Sequence, residues 1–97
     1  MIVEHALLEI RDGQSEAFEA AMRQARDLIA TSPGFLSIDV RAAAEAADRY
    51  LLRVEWTDLS AHREGFRKSK RYKEWRALLH GFYQPMPSIE YFGESIL

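Results

Sequence analysis

The apolar residues of this chain change period four times in 97 positions, and that order of periods constrains the fold more than any single motif. The stretch IVEHALLEI (2–10) is β-branched and apolar with polar residues interspersed, and Asp12-Gly13 ends it, so it reads as a strand. In GQSEAFEAAMRQARDLIATS the residues Phe18, Met22, Ala25 and Ile29 recur every three or four positions, the stripe of an amphipathic helix. Ser15 is the expected N-cap, with Phe18 where a capping box would place Glu, and Ser32-Pro33-Gly34 stops the helix. GFLSIDVRA (34–42) alternates, with Phe35, Ser37, Asp39 and Arg41 expected on one face and Leu36, Ile38 and Val40 on the other.

AAEAAD then connects to RYLLRVEWT (49–57), a further strand; the connection is too long for a tight turn. Asp58 or Ser60 is placed to cap a second helix. Its inner side is marked by Leu59, His62 and Phe66, and then by Tyr72, Trp75, Leu79 and Phe82, with a break expected near Ser69–Arg71. Pro85 and Pro87 end it, and SIEYFGE (88–94) supplies a last strand. The order β-α-β-β-α-β predicts an α+β, ferredoxin-like domain over 1–97: four antiparallel strands with two helices on one face.

Two helices cover one face of such a sheet, yet the strands are apolar on both. Leu7 and Leu8 fall on opposite faces, as do Leu51 and Val54. A chain of 97 residues, 47% hydrophobic, buries a modest core alone, so a second copy packed back to back is the expected cover and the expected assembly is a homodimer.

Charge bears on partners. Between His62 and Arg76 stand seven Lys/Arg against two Glu, interleaved with aromatics, which raises nucleic-acid binding. The net charge of −2 opposes it, and the aromatics fall at spacings that turn them inward, leaving Arg63, Lys68, Lys70 and Lys73 as a solvated helix face. No nucleic-acid partner is expected. No cysteine is present, which removes disulfides and thiolate sites. His5, His62 and His80 lack HxH, HxxxH or HExxH spacing, so no protein-held metal is expected. The first residues carry neither a basic n-region nor a long apolar run; no membrane partner and a cytoplasmic setting are the expectations.

What remains is a pocket. His62 shares a helical face with Leu59 and Phe66, Trp56 closes the third strand just before it, and Tyr72 and Trp75 follow one turn on. Set between helix and sheet, these side chains form an apolar slot with polar tips, the make-up of a small-molecule site; a half-buried histidine there can take or pass a proton. The plainer reading of Trp56, Phe66, Trp75 and Phe82 is core. His5, with Arg53, Glu55 and Glu90, is placed for a polar network that fixes strand pairing or an interface.

The turn SPGFLSIDVR, the stretch YLLRVEWTDLSAH with Trp56 six residues before His62, and the closing YQPMPSIEYF resemble the antibiotic biosynthesis monooxygenase family, and the resemblance covers nearly the whole chain. It implies a dimeric α+β barrel. It also implies a monooxygenase that needs no metal or flavin and oxidises a phenolic small molecule to a quinone, the substrate itself supplying the electrons for O2. On that resemblance His62 is the proton-transfer group and Tyr72 the orienting hydrogen-bond partner. Trp56, Phe66 and Trp75 are pocket walls, and Arg67 or Arg76 pairs with a phenolate. Haem-degrading branches of the family use an Asn, a Trp and a His where this chain has Ala6, His62 and Arg76, so that activity is not expected, His80 being a weak substitute ligand. A non-catalytic ligand-binding or sensing dimer is the alternative.

Overall fold

The computed structural model describes all 97 residues. Six main elements follow in the expected order: β1 (Ile2–Glu9), α1 (Ser15–Ala30), β2 (Phe35–Ala42), β3 (Arg49–Trp56), α2 (Lys70–Leu79) and β4 (Ile89–Phe92). A π-helical turn, Ala61–Phe66, precedes α2, and a 3-10 turn, His80–Phe82, follows it. The four strands form one antiparallel sheet in the order β2-β3-β1-β4, which is the ferredoxin-like arrangement.

The period-2 pattern of β3 is regular: Tyr50, Leu52, Val54 and Trp56 are buried while the residues between them are half exposed. Glu4, Ala6 and Leu8 of β1 lie on the same covered face. Onto it α1 packs Phe18, Met22, Ala25 and Ile29, the stripe expected from the sequence, and α2 packs Trp75 and Leu79.

Three local expectations are corrected. Ser15 begins α1 rather than capping it; Gln14 is the cap residue and makes no side-chain bond. Instead Asp48, at positive φ of 57° before β3, accepts from the Ser15 hydroxyl and from the Gly13 N–H (3.2 Å), so the β2–β3 connection braces the helix start. The alternation of β2 breaks at its first residues. Phe35 pairs with Trp56 but Ser37 already pairs with Glu55, a β-bulge that leaves Leu36 exposed and turns Phe35 edge-on to the Trp56 ring at 5.9 Å. Finally, the second helix breaks near Ser69 as expected, but Ser69 itself caps α2, its Oγ accepting from the Tyr72 N–H at 3.2 Å.

The opposite sheet face carries no helix. Leu7 is 47% exposed and Phe92 50% exposed, and both lie there with Val3 and Leu51. His5 stands opposite Arg53 on one side and Glu90 on the other, edge-on to Phe92 at 5.7 Å, while Arg53 reaches Glu55 at 3.4 Å. Within one chain His5, Arg53 and Glu55 are half exposed and Glu90 is exposed.

Candidate functional site

The alternation of β1 puts a carboxylate in the core: Glu4 is 3% exposed, on the face it shares with Ala6 and Leu8. Leaving such a group unpaired would be costly, and the neighbouring strand and the π-turn supply its partners. Trp56 at the end of β3 donates its indole N–H to Glu4 Oε1 at 2.9 Å. His62 Nε2 lies 3.4 Å from the same oxygen. The other imidazole nitrogen, Nδ1, is 2.6 Å from the hydroxyl of Tyr91, which stands opposite Glu4 on β4. A continuous polar chain, Trp56–Glu4–His62–Tyr91, therefore crosses the core from β3 to β4.

Local chemistry explains how His62 arrives there. Asp58 Oδ1 accepts from the Ala61 N–H at 2.8 Å and starts the π-turn. Gly34, at φ +84°, lets the entrance to β2 approach that turn: a Cβ on it would stand 2.6 Å from the Ala61 Cβ and 2.7 Å from the Thr57 hydroxyl. The wide turn closes with Arg67 N–H to the His62 carbonyl at 3.0 Å, which keeps His62 and Phe66 both turned inward, 3% and 1% exposed.

Burial sets the charge state. It raises the Glu4 carboxyl to about 7, against the lowering effects of the Trp56 hydrogen bond and the Arg67 charge. Burial also lowers His62 to about 4, helped by the charges of Arg67 and Arg63. At neutral pH the imidazole is neutral and the carboxyl sits near its midpoint. The Tyr83 phenol is raised by burial, and next by Tyr72 and Glu4, so it stays a donor.

Glu4 and His62 open onto a narrow, partly open cavity of about 40 Å³ between α2 and the sheet, room for a few waters. Phe66 and Trp75 form apolar wall, Tyr72 and Tyr83 bring phenols, and Arg67 stands at the rim with its guanidinium 6.0 Å from the Tyr72 ring centre. His80 borders the same space, edge-on to Tyr72 at 6.1 Å. A roomier cleft of about 190 Å³ lies between α1 and β2, but its one buried-side polar pair, Tyr50 donating to Glu19 at 2.5 Å, already satisfies itself. The small cavity is the one with acid–base chemistry in its wall.

Of the residues singled out from the sequence, His62, Phe66, Arg67, Tyr72 and Trp75 converge on this cavity. Two do not. Trp56 is wholly buried one layer behind, reaching the cavity only through the residues it packs on: Glu4, His62 with ring centres 5.3 Å apart, and Phe66 at 5.9 Å. Arg76 follows Trp75 on α2, and the turn of the helix carries it out to solvent. No three His, Asp or Glu side chains gather in metal-ligating geometry, and no helix is long and apolar enough to cross a membrane. Glu4 and Tyr91 escaped the sequence reading. A signal for Glu4 existed, a carboxylate in phase with Ala6 and Leu8; for Tyr91 none did, because β4 shows no clear buried face.

The chain belongs to the antibiotic biosynthesis monooxygenase family, whose model matches residues 1–78. It is 45% identical over 94 residues to the uncharacterized protein YczJ of Bacillus subtilis (strain 168), which spans 97% of this chain and 99% of that relative. Among solved structures, a Bordetella bronchiseptica protein bearing the family's name superposes with a TM-score of 0.92 at 29% identity, over 98% of this chain and 97% of the other. The fold is also that of SnoaB, a cofactor-independent oxygenase from Streptomyces nogalater, with a TM-score of 0.86 at 16% identity over 99% and 94% of the two chains.

Proposed function

We propose that this chain is a cofactor-independent monooxygenase that oxidises a small phenol to the corresponding quinone in the cavity between α2 and the sheet. One observation carries the reading: a buried carboxylate–imidazole pair, shielded from bulk water, opens into an otherwise largely aromatic cavity. Ground-state phenols react slowly with O2, whereas phenolates are electron-rich. The site's task is to remove one proton in a dry space.

The balance is complete without a further reductant. Loss of the hydroxyl proton to the Glu4–His62 pair leaves a phenolate, which transfers an electron to O2. Recombination at the para carbon forms the C–O bond, and the stored proton returns to the distal peroxide oxygen. Departure of water, taking the para hydrogen, leaves the quinone, so one oxygen atom enters the product and one leaves as water. Tyr72, on the wall facing the pair, orients the substrate oxygen, and Phe66 and Trp75 stack on its ring. Arg67 at the rim offers a cation to the phenolate. In a cavity of about 40 Å³, entry of a ring displaces the Arg67–Tyr72 contact, so one- and two-ring phenols are favoured over three-ring ones.

The uncovered apolar sheet face supports a second copy packed against it, so the working unit of this reading is a homodimer.

The test is 1-naphthol in air under 18O2, followed by 1,4-naphthoquinone formation. Expected are one O2 consumed and one labelled oxygen incorporated per quinone, with His62→Gln slower by roughly 10²-fold. Quinone formation no faster than without protein, for one-, two- and three-ring phenols alike, refutes the oxygenase; saturable binding of the same phenols would then mark a ligand-binding dimer.

A further inference from the structure

We propose that Glu4, rather than His62, is the catalytic base of this site, and that His62 relays the proton between Glu4 and Tyr91. The proposal rests on the oxygenase reading above and reassigns its central step.

Hydrogen-bond accounting is the first argument. Nδ1 is hydrogen-bonded to the Tyr91 hydroxyl at 2.6 Å, and Nε2, the only nitrogen left, points at Glu4 Oε1, 3.4 Å away. A neutral imidazole has one lone pair and one N–H, so with Nδ1 taken by Tyr91 any proton reaching His62 from the cavity must come through Nε2, on the side where Glu4 stands. The carboxylate differs. Its two protein contacts, from Trp56 and His62, both fall on Oε1, which leaves Oε2 for a ligand in the cavity that Glu4 lines.

The surroundings give the second argument. Facing Glu4 are His62 and Arg67 from the π-turn and its exit, Tyr91 from β4, Tyr83 beyond α2, and, across the cavity, Tyr72 from α2 and His80 from the 3-10 turn after it. From α1 comes only the apolar Ile29. Arg67 is the one fixed cation among them, and it sits at the rim. Burial outweighs it and makes Glu4 a base matched to neutral pH, while the same burial makes His62 too weak a base to compete.

The proton route follows. A phenol hydroxyl gives its proton to Oε2, leaving a phenolate beside a neutral carboxylic acid, so the buried site gains no net charge. A half-turn of the carboxyl group exchanges its two oxygens and brings the proton to face Nε2 of His62. It passes there while Nδ1–H is handed to the Tyr91 hydroxyl, whose own proton is released, Tyr91 being a half-exposed residue with the Arg63 guanidinium 5.0 Å from its ring centre. For the return of the proton to peroxide the same chain runs backwards.

The test begins without substrate. The Trp56 indole N–H bonds directly to Glu4, so its 15N–1H resonance, assigned with Trp75→Phe, reports the carboxyl's ionisation. In the wild type it should titrate with a midpoint near 7, and in Glu4→Gln, which keeps the acceptor oxygen, it should not titrate. With 1-naphthol, kcat/KM of the wild type should rise with the same midpoint. Glu4→Gln should lose roughly 10²–10⁴-fold together with that limb, and His62→Gln should be slower but keep it. An indole midpoint below 5, or titration persisting in Glu4→Gln, overturns the assignment. So does Glu4→Gln turning over at the wild-type rate, or loss of the limb in His62→Gln alone. Wild type that oxidises no phenol while its indole still titrates through Glu4 sinks the oxygenase reading and leaves Glu4 as the proton-holding group.

Discussion

Replacing Gly34 by Ala tests how the site is positioned, because Gly34 touches none of it. The added Cβ would lie 2.6 Å from the Ala61 Cβ and 2.7 Å from the Thr57 Oγ1. The first neighbour is fixed to the backbone of the π-turn, so relief requires moving that turn rather than rotating a side chain. Three contributions set the magnitude. A non-glycine residue at φ +84° costs about 1–2 kcal/mol. Forcing a methyl against a packed neighbour costs roughly 1–3 kcal/mol. The stiffer unfolded chain offsets about 0.4–1 kcal/mol of this. The net is a loss of about 3 kcal/mol, or roughly 12–24 °C in Tm for a domain of this size, read by calorimetry at fixed protein concentration. Moving Ala61 also moves His62, so the Trp56 indole resonance should shift in folded Gly34→Ala below its Tm. In the double variant with Ala61→Gly the nearer clash is absent, and a coupling of about 1 kcal/mol between the two sites is expected. A Tm loss under about 4 °C, or strict additivity with Ala61→Gly, would show that the close approach does not position the turn.

Stability should report the opposed buried groups. Glu4, raised from 4.5 to about 7, makes the native state bind more protons than the unfolded chain in that window, so its contribution falls as pH rises through it. His62, lowered from 6.5 to about 4, makes the native state bind fewer, so its contribution rises with pH between those values. The two oppose each other in the shared window. In urea unfolding from pH 4.5 to 6.5, relative to the wild type, His62→Gln should add a falling slope and Glu4→Gln a rising one, each on the order of 2–3 kcal/mol across the window; slopes of the same sign would refute the opposed burial. On the uncovered sheet face, Leu7→Glu should convert a particle of twice the 11.2 kDa chain mass into a monomer by light scattering, and a wild type already monomeric refutes the sheet-to-sheet pairing.

The elements were legible because burial on one side imprints a period. The stripe Phe18, Met22, Ala25, Ile29 and the alternation of β3 reappear unchanged as the core. Phe35 and Leu36 were read on the wrong faces because a bulge inserts one residue without altering composition. Ser15 looked like a cap because capping chemistry is local, while its actual partner, Asp48, is 33 residues away. The site divides the same way. His62, Phe66, Tyr72 and Trp75 share a helical segment and could be placed together from spacing alone. Glu4 and Tyr91 join them only through antiparallel register, which a single sequence does not spell out.

The π-turn at 61–66 has a genetic consequence. Such a turn carries one residue more than an α-helical turn. Losing one codon between Arg63 and Gly65 would convert it to ordinary helix, leave Phe66 anchored in the core, and swing His62 by about 100° away from Glu4. A single in-frame deletion could thus silence the proton chain in a descendant that still folds, and the reverse insertion could restore it. The fold and the approach of His62 to Glu4 are therefore separable by one residue.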